Sequence, residues 1–499
     1  MASETKIMKK EEDETALHAP SDRLSYLPNE LLTMVISSLS VAEAARTSTL
    51  AKSWQGLWRH AERLEFDETT MPRPSILPKK RQIGTGSLYG TVICMVFNSY
   101  VGDLTSVSFK HFPRSIAVGE LDFWVDFVLN KFRKINSLSL ECERLVPEPE
   151  PPFFLMGSKS VKLNFRPMDS SNLNSLELTN YTMTTSTPEA LNGCGWKLKI
   201  LKLKNMRMSD DVINGVLRKC LGLESLSIVE SKGFKTLKIN NPWLKFLELG
   251  WLIVNEVNLS VERLETLVVD SLMCPPKGLK IYTVNLKIFH LSCNSIAQRM
   301  RIRRSYNQPL LKTQDIFEYC TDLLGYNSFN IFQNILIASI DLDLNNIRES
   351  MALSYILRLS LCLETLEITI PPVEEDDFLA GANNSYDNVC LSFPTSMFWE
   401  RNNLYNCMNH TLKFVTIKGF TGKEQEVKFI QHIIKNATTI KKITIISDSA
   451  TILKEAEALL ILPRNSIYLS IIFKSESDDV AQLTSQVNNK MSFLDSEEY

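Results

Sequence analysis

Residues 173–178 read LNSLEL, residues 198–203 read LKILKL and residues 223–228 read LESLSI. One phrase, L-x-x-L-x-L, returns with starts 25 residues apart, at Leu173, Leu198 and Leu223. Alternating apolar positions within each copy predict a short strand with one buried face. A fixed period of 20–29 residues with this core is the signature of a repeat array, in which each copy buries its leucines against its neighbours. Two later copies extend the phrase to an Asn and a final apolar residue: Leu286-Phe289-Leu291-Asn294-Ile296 and Ile337-Ile340-Leu342-Asn345-Ile347. Elsewhere Tyr181, Met206 or Ser231 holds the Asn position, which predicts an incomplete Asn ladder and an irregular array.

Between Leu223 and Leu264 the beat halves, with starts at Leu223, Phe234, Leu244, Val254 and Leu264. Ten residues cannot close a coil, so this stretch predicts two strands per coil, on opposite sides of a flattened solenoid. Gly233, Asn240, Asn241 and Pro242 supply the corners. A β-sandwich of short strands at similar spacing is the alternative. Phe317–Phe332 and Phe378–Asn406 interrupt the rhythm; the acidic run Glu374–Asp377 just before the second reads as a solvated edge.

Upstream lies DRLSYLPNELLTMVISSLSVAEAARTSTLAKSWQGLWRHAERLEFD, residues 22–67. Pro28 suits a helix lead-in, and Asn29 is a candidate cap. Leu31, Leu32, Val35, Ile36 and Leu39 follow at helical spacing. Ser40 with Glu43 is a capping-box pattern opening a second helix. Leu50, Trp54, Leu57 and Trp58 predict a third helix, and Leu64 with Phe66 a strand. A module this short exposes more apolar surface than it can bury alone. The surplus predicts docking to a partner; the alternative is packing on the rest of the chain.

Asp22-Arg23, Leu27–Leu32, Glu43–Ser48, Leu50–Trp54 and Leu57-Trp58 resemble the F-box of plant F-box/leucine-rich-repeat proteins. The resemblance implies contacts with a Skp-type adaptor through Leu27, Pro28, Leu31, Leu32, Ile36, Leu39 and Trp54. One departure is Ser53, where the family usually has a basic residue. Near the C-terminus, Leu412-Val415-Ile417, Gly419, Gly422, then Val427, Ile430, Ile433 and Ile434, and finally Ile440-Ile443-Ile445 predict strand, turn, helix and strand. This region is similar to the FBD found at the end of many such proteins, with Asn406–Asn409 in place of the family's Trp and Cys-Leu lead-in. Leu453–Leu462 and Ile467–Phe473 predict one more helix and strand.

The predicted organisation is an α/β chain: a disordered lead (1–20), a three-helix F-box (21–68), a connector (69–100), an irregular leucine-rich-repeat solenoid with insertions (101–400), an FBD-like cap (401–475) and an acidic tail (476–499). Leu121–Phe132 reads as a helix which, with the stretch from Tyr89, caps the first coil.

Composition narrows the function. The chain of 499 residues carries 55 Lys+Arg against 57 Asp+Glu, a net charge of −2, which gives no global attraction to nucleic acid or membrane. No apolar run spans a bilayer, and no secretory signal opens the chain. Ten cysteines without a C-x-x-C pair fit a reducing compartment, cytoplasm or nucleus, and neither zinc nor disulfides. Six scattered histidines form no ligand motif. Gly84, Gly86 and Gly90 lack dinucleotide-loop spacing and read as a flexible connector. Lys79–Arg81 and Arg299–Arg304 read as solvated basic loops. No catalytic residue, cofactor or metal is predicted, and no enzyme.

The resemblance implies a substrate receptor of an SCF-type ubiquitin ligase, tethered through the adaptor to cullin. Its expected target surface is the outward row of the sheet: Glu177, Thr179, Lys202, Lys204, Thr266, Val268, Ile288 and His290. A non-ligase scaffold is one alternative. A small-ligand sensor is another, with Arg299–Arg304 the place for a phosphate.

Overall fold

The computed structural model describes residues 27–70, 86–113, 119–143, 161–163, 172–292, 331–371, 398–400 and 405–475. Lys79–Arg81, Gly84, Asn294, Ile296, Arg299–Arg304, Glu374–Asp377, the lead and the tail lie outside these. The chain divides into two compact units, residues 1–143 and 144–499.

In the first unit, helices α1 (Asn29–Ser37) and α2 (Val41–Thr47) lead to strand β1 (Arg63–Asp67). Pro28, not Asn29, is the N-cap of α1, and Asn29 is its first helical residue. Both bonds of the Ser40–Glu43 capping box form at α2. The predicted third helix does not. Lys52–Trp54 and Leu57–His60 are separate 3-10 turns, because Gln55 is extended and Gly56 turns left-handed at φ 76°. Several hydrogen bonds tie the module to the strand region of its unit, among them Ser37 Oγ accepting from Glu62 N at 3.0 Å, the Tyr100 hydroxyl donating to Ala61 O at 2.6 Å, and Val101 N and Gly102 N donating to Arg59 O at 3.0 Å each.

Helix α3 (Gly86–Ser99) occupies much of the stretch expected to be a flexible connector. Tyr89, Ile93, Val96 and Phe97 fall on one helical stripe and are buried. The expected helix over Leu121–Phe132 is α4 (Glu120–Lys131). Strands β1, β2 (Ser106–His111) and β3 (Ser137–Cys142) pair in parallel. Between the helices and this sheet lies an aromatic core: Phe66 stacks on Phe109 at 5.4 Å, and Tyr89 meets Trp124 edge-on at 5.3 Å. Gly90 faces the Trp124 ring, which a Cβ there would meet at 3.4 Å, an ordinary van der Waals contact.

The second unit is the repeat array. Strands β5 (Ser175–Thr179), β7 (Ile200–Lys204) and β8 (Ser225–Val229) pair in parallel, with Leu176, Leu201 and Leu226 in one register row, each fully buried. The row continues through β10 (Phe246–Gly250), β12 (Thr266–Asp270), β14 (Ile288–Ser292), β15 (Ile337–Asp341), β16 (Thr365–Thr369), β17 (Phe414–Lys418), β18 (Lys442–Ser447) and β19 (Ser470–Ser475), every pair parallel.

Where the beat halves, alternate strands go to a second parallel sheet: β9 (Thr236–Ile239), β11 (Glu256–Ser260) and β13 (Leu279–Tyr282). These coils therefore carry two strands each, and the parallel pairing rules out an antiparallel sandwich. A short β4 (Val161–Leu163) pairs with β6 (Tyr181–Met183). Longer coils return through a helix. That of Asp210–Lys219 has Asp210 and Asp211 in its first turn and Arg218 and Lys219 in its last, matching the helix dipole. Val212, Ile213, Val216 and Leu217 are its buried face.

One corner repeats along five successive strands of the large sheet. The residue after each strand is left-handed at Asn180, Asn205, Glu230, Trp251 and Ser271. Asn tolerates that conformation well, while Trp251 and Glu230 do so only because the coil imposes it. The next residues, Tyr181, Met206 and Ser231, are buried at the expected Asn position. Ser231 Oγ accepts there from Met206 N at 3.1 Å. Asn345 bonds instead to Glu426, at 3.0 Å.

The C-terminal strand–helix–strand is β17, helix Glu424–Asn436 and β18, with Gly419 and Gly422 both left-handed in the turn. Helix Ala450–Ala456, a 3-10 stretch Glu457–Ile461 and β19 complete the described chain.

Candidate functional site

Two surfaces stand out. The first is the outward side of α1. Leu32 and Ile36 point inward and are 1% and 0% exposed, against α2 and the 3-10 turns. Around the rest of the helix Leu31, Met34 and Val35 are 46%, 66% and 45% exposed. Leu50, after α2, is 69% exposed. Pro28 is exposed, and Leu27 and Leu39 are half-buried. Trp54 is buried.

The seven expected adaptor contacts thus separate. Leu27, Pro28, Leu31 and Leu39 have surface to offer, whereas Leu32, Ile36 and Trp54 hold the inside of the module. Met34, Val35 and Leu50 fall outside the expected set. Helical geometry finds Met34, which at i+2 from Leu32 lies across the helix from the buried pair; Val35, at i+3 from Leu32, flanks the buried side, and its 45% exposure rather than its spacing marks it.

The second surface is the outward face of the large sheet. Glu177, Thr179, Lys202, Thr266, Val268 and His290 are half-buried, and Lys204 and Ile288 are exposed, as side chains between buried strand positions should be. The register places Glu177 beside Lys202, where they pair at 2.7 Å, and Thr179 beside Lys204. It places Thr266 beside Ile288 and Val268 beside His290. These are two separate groups of strands, divided by β8 and β10.

At the strand entrances a ladder of alternating charge runs across the coils. Glu224 N donates to Lys199 O, Lys245 N to Glu224 O, Glu265 N to Lys245 O and Lys287 N to Glu265 O, each at 2.8 Å. Their side chains pair as well: Glu224 with Lys199 at 3.5 Å and Lys245 at 2.9 Å, Lys287 with Glu265 at 3.1 Å, and Lys413 with Glu364 at 2.7 Å. The Lys245 hydrogen bond, opposed by partial burial, holds the Glu224 carboxyl below its usual range.

Beneath the cap, Glu426 is fully buried and accepts from Thr421 N, Thr421 Oγ1, Gly422 N and Asn345 Nδ2 at 2.8, 2.7, 3.1 and 3.0 Å. Trp399, which no sequence motif marks, meets Phe429 at 4.7 Å and His432 at 6.0 Å. This aromatic cluster lies against the helix Glu424–Asn436.

Burial pushes the thiols of Cys142, Cys220, Cys274 and Cys407 up to about 12, so they stay protonated and poorly nucleophilic. Burial lowers the His111 imidazole to about 4, opposed by its hydrogen bond to Phe112 O. Among the described residues no three His, Cys, Asp or Glu side chains group to hold a metal. No helix among them is long and apolar enough to cross a membrane.

Comparison with known proteins gives these surfaces a family. The F-box domain model matches residues 24–66, and the FBD model matches 401–445. A model described as the LRR repeats of FBD-associated F-box protein At5g56370 matches residues 156–304. F-box protein At1g80960 of Arabidopsis thaliana is 26% identical over 436 residues, 85% of this chain and 83% of that protein. Putative FBD-associated F-box protein At5g56820, from the same plant, is 24% identical over 443 residues, 85% of this chain and 86% of its own length. Putative F-box protein At1g67390, also from Arabidopsis thaliana, is 31% identical over 252 residues, about half of each chain (49% and 48%). F-box, repeats and FBD thus stand in this order along one chain, the organisation of plant F-box/leucine-rich-repeat proteins with an FBD region.

Proposed function

We propose that this chain is a substrate-recognition subunit of an SCF-type ubiquitin ligase. Its F-box docks a Skp-type adaptor, and through it cullin, while the repeat array holds a target protein. The observation that carries this reading is the uncovered apolar side of α1: Leu31, Met34 and Val35 are about half or more exposed on one helix. Large apolar side chains left in water on one short helix favour a partner that covers them. The adaptor contacts in this reading are Leu27, Pro28, Leu31, Met34, Val35 and Leu39, with Leu32, Ile36 and Trp54 acting from inside by holding α1 in place.

The chain itself performs no bond chemistry in this scheme. It raises the effective concentration of a target beside the ubiquitin-charged enzyme. The test is co-purification from plant cells. The full chain should carry adaptor and cullin with it, and a chain lacking residues 21–68, or one with Leu27→Ala and Pro28→Ala, should not. Retention of both partners by these variants would refute the docking surface.

A further inference from the structure

The outward face of the large sheet changes character between β10 and β16. Its outward-facing positions there carry Glu248, Asp270, Asp341 and Glu367, and no Lys or Arg. Lys and Arg are absent from fifteen positions on five neighbouring strands; they reappear beyond β8, at Lys202 and Lys204 in β7, and on the other side at Lys418 in β17. At the strand entrances Lys245, Lys287 and Lys413 are engaged with Glu224, Glu265 and Glu364. Glu248 and Asp270 are held in place by neutral groups: Ser227 Oγ donates to Glu248 at 2.6 Å, and Ser271 and Ser292 both donate to Asp270 at 2.9 Å. Hydroxyl donors orient a carboxylate without cancelling its charge.

Beside these carboxylates lies an apolar row. Phe246, Thr266, Ile288 and Ile337 follow one another in register, with Ile288 37% exposed and Phe246 and Ile337 half-buried. A face that joins partly exposed apolar side chains to carboxylates is complementary to one kind of partner. We infer that the target is engaged through a segment that carries Lys or Arg interleaved with apolar residues, laid across β10 to β16. This rests on the receptor reading above and adds the chemistry of the partner. Four strand spacings of ~4.8 Å separate β10 from β16, so an extended segment of about six residues spans the face. Negative charge there would also speed encounter with a basic partner and repel an acidic one.

The experiment uses the full chain co-expressed with its adaptor. Two fluorescein-labelled nine-residue probes are compared by anisotropy: repeating Arg-Thr-Val, and repeating Glu-Thr-Val. The basic probe should bind saturably and weaken as salt rises, and the acidic probe should not bind. Changing Glu248 and Glu367 to Gln together with Asp270 and Asp341 to Asn should weaken the basic probe about tenfold at ~0.15 M salt. Changing four exposed carboxylates elsewhere, Glu189, Asp211, Glu262 and Glu457, should leave it within about twofold. Equal loss from both quartets, equal binding of the two probes, or no binding of either would overturn the inference. So would tighter binding when Arg299, Arg301, Arg303 and Arg304 are changed to Gln, since the face would then serve the chain itself. Adaptor binding is measured on the same samples; its absence in the wild type would sink the receptor reading and leave the probe result to stand or fall separately.

Discussion

Truncating Leu31, Met34 and Val35 to Ala together should remove adaptor binding while leaving the fold intact. Full burial of such a side chain is worth ~1.5–3 kcal/mol. These three are already roughly half covered, so an adaptor that sealed them would gain only the remainder, about 1 kcal/mol each. The sum of about 3 kcal/mol corresponds to a Kd weakened about 100-fold. The same truncations should alter unfolding free energy by less than about 1 kcal/mol, because exposed side chains contribute little to stability. Ile36→Ala should do the reverse. It opens a cavity where the side chain is 0% exposed, costs about 2–4 kcal/mol of stability, and affects binding only through the fraction unfolded. Isothermal titration with purified adaptor gives the first quantity and thermal denaturation the second. The reasoning is refuted if the triple variant binds like wild type, or if it unfolds as readily as Ile36→Ala.

Three further outcomes rest on particular contacts. Glu426→Ala removes four acceptor contacts from a buried carboxylate, leaving Thr421 N and Gly422 N unpaired; it should cost about 3–5 kcal/mol, confined to the last coils, and show as faster hydrogen exchange over residues 405–475. Ser40→Ala breaks the capping box and should cost about 1 kcal/mol, read as a lower thermal midpoint with little change in adaptor affinity at low temperature. His111 gives a pH dependence. Its folded value of about 4 lies below the unfolded ~6.5, so the unfolded chain takes the proton first. Stability present above pH ~6.5 is therefore lost as pH falls from there toward about 4, by about 2 kcal/mol at pH ~5. A His111→Asn variant should lose that slope in a series of chemical denaturations, and an unchanged slope would assign it to other groups.

Much of this structure is legible in the sequence, for a physical reason. A leucine at every L-x-x-L-x-L position is fully buried because each strand packs its inner face on the next coil, and that constraint writes a period into the chain. The halved beat is equally direct, since a ten-residue step leaves room for a strand and a corner and nothing else. Sequence and structure part where two signals compete. Leu50, Trp54, Leu57 and Trp58 are spaced like a helix, yet Gly56 reverses the backbone between the tryptophans, and a glycine inside an apolar pattern is easily discounted. The stretch from Gly86 is dominated by its glycines, although Tyr89, Ile93, Val96 and Phe97 carry a helical stripe.

At the docking surface the pattern of apolar residues points to the right helix but cannot tell its two sides apart, because Leu31, Leu32, Val35 and Ile36 are equally apolar. Only the partners of Leu32 and Ile36 decide which side is inside. The outward face of the sheet has the opposite problem. Every repeat array has such a row, and its net charge becomes visible only when the register puts Glu248, Asp270, Asp341 and Glu367 on neighbouring strands.

The most direct test of the central claim is hydrogen–deuterium exchange of the full chain with and without a purified Skp-type adaptor. The account predicts slower exchange concentrated in residues 27–50, with the repeat strands from β5 onward unchanged. A complex whose protection falls elsewhere, or no complex at all, would contradict it.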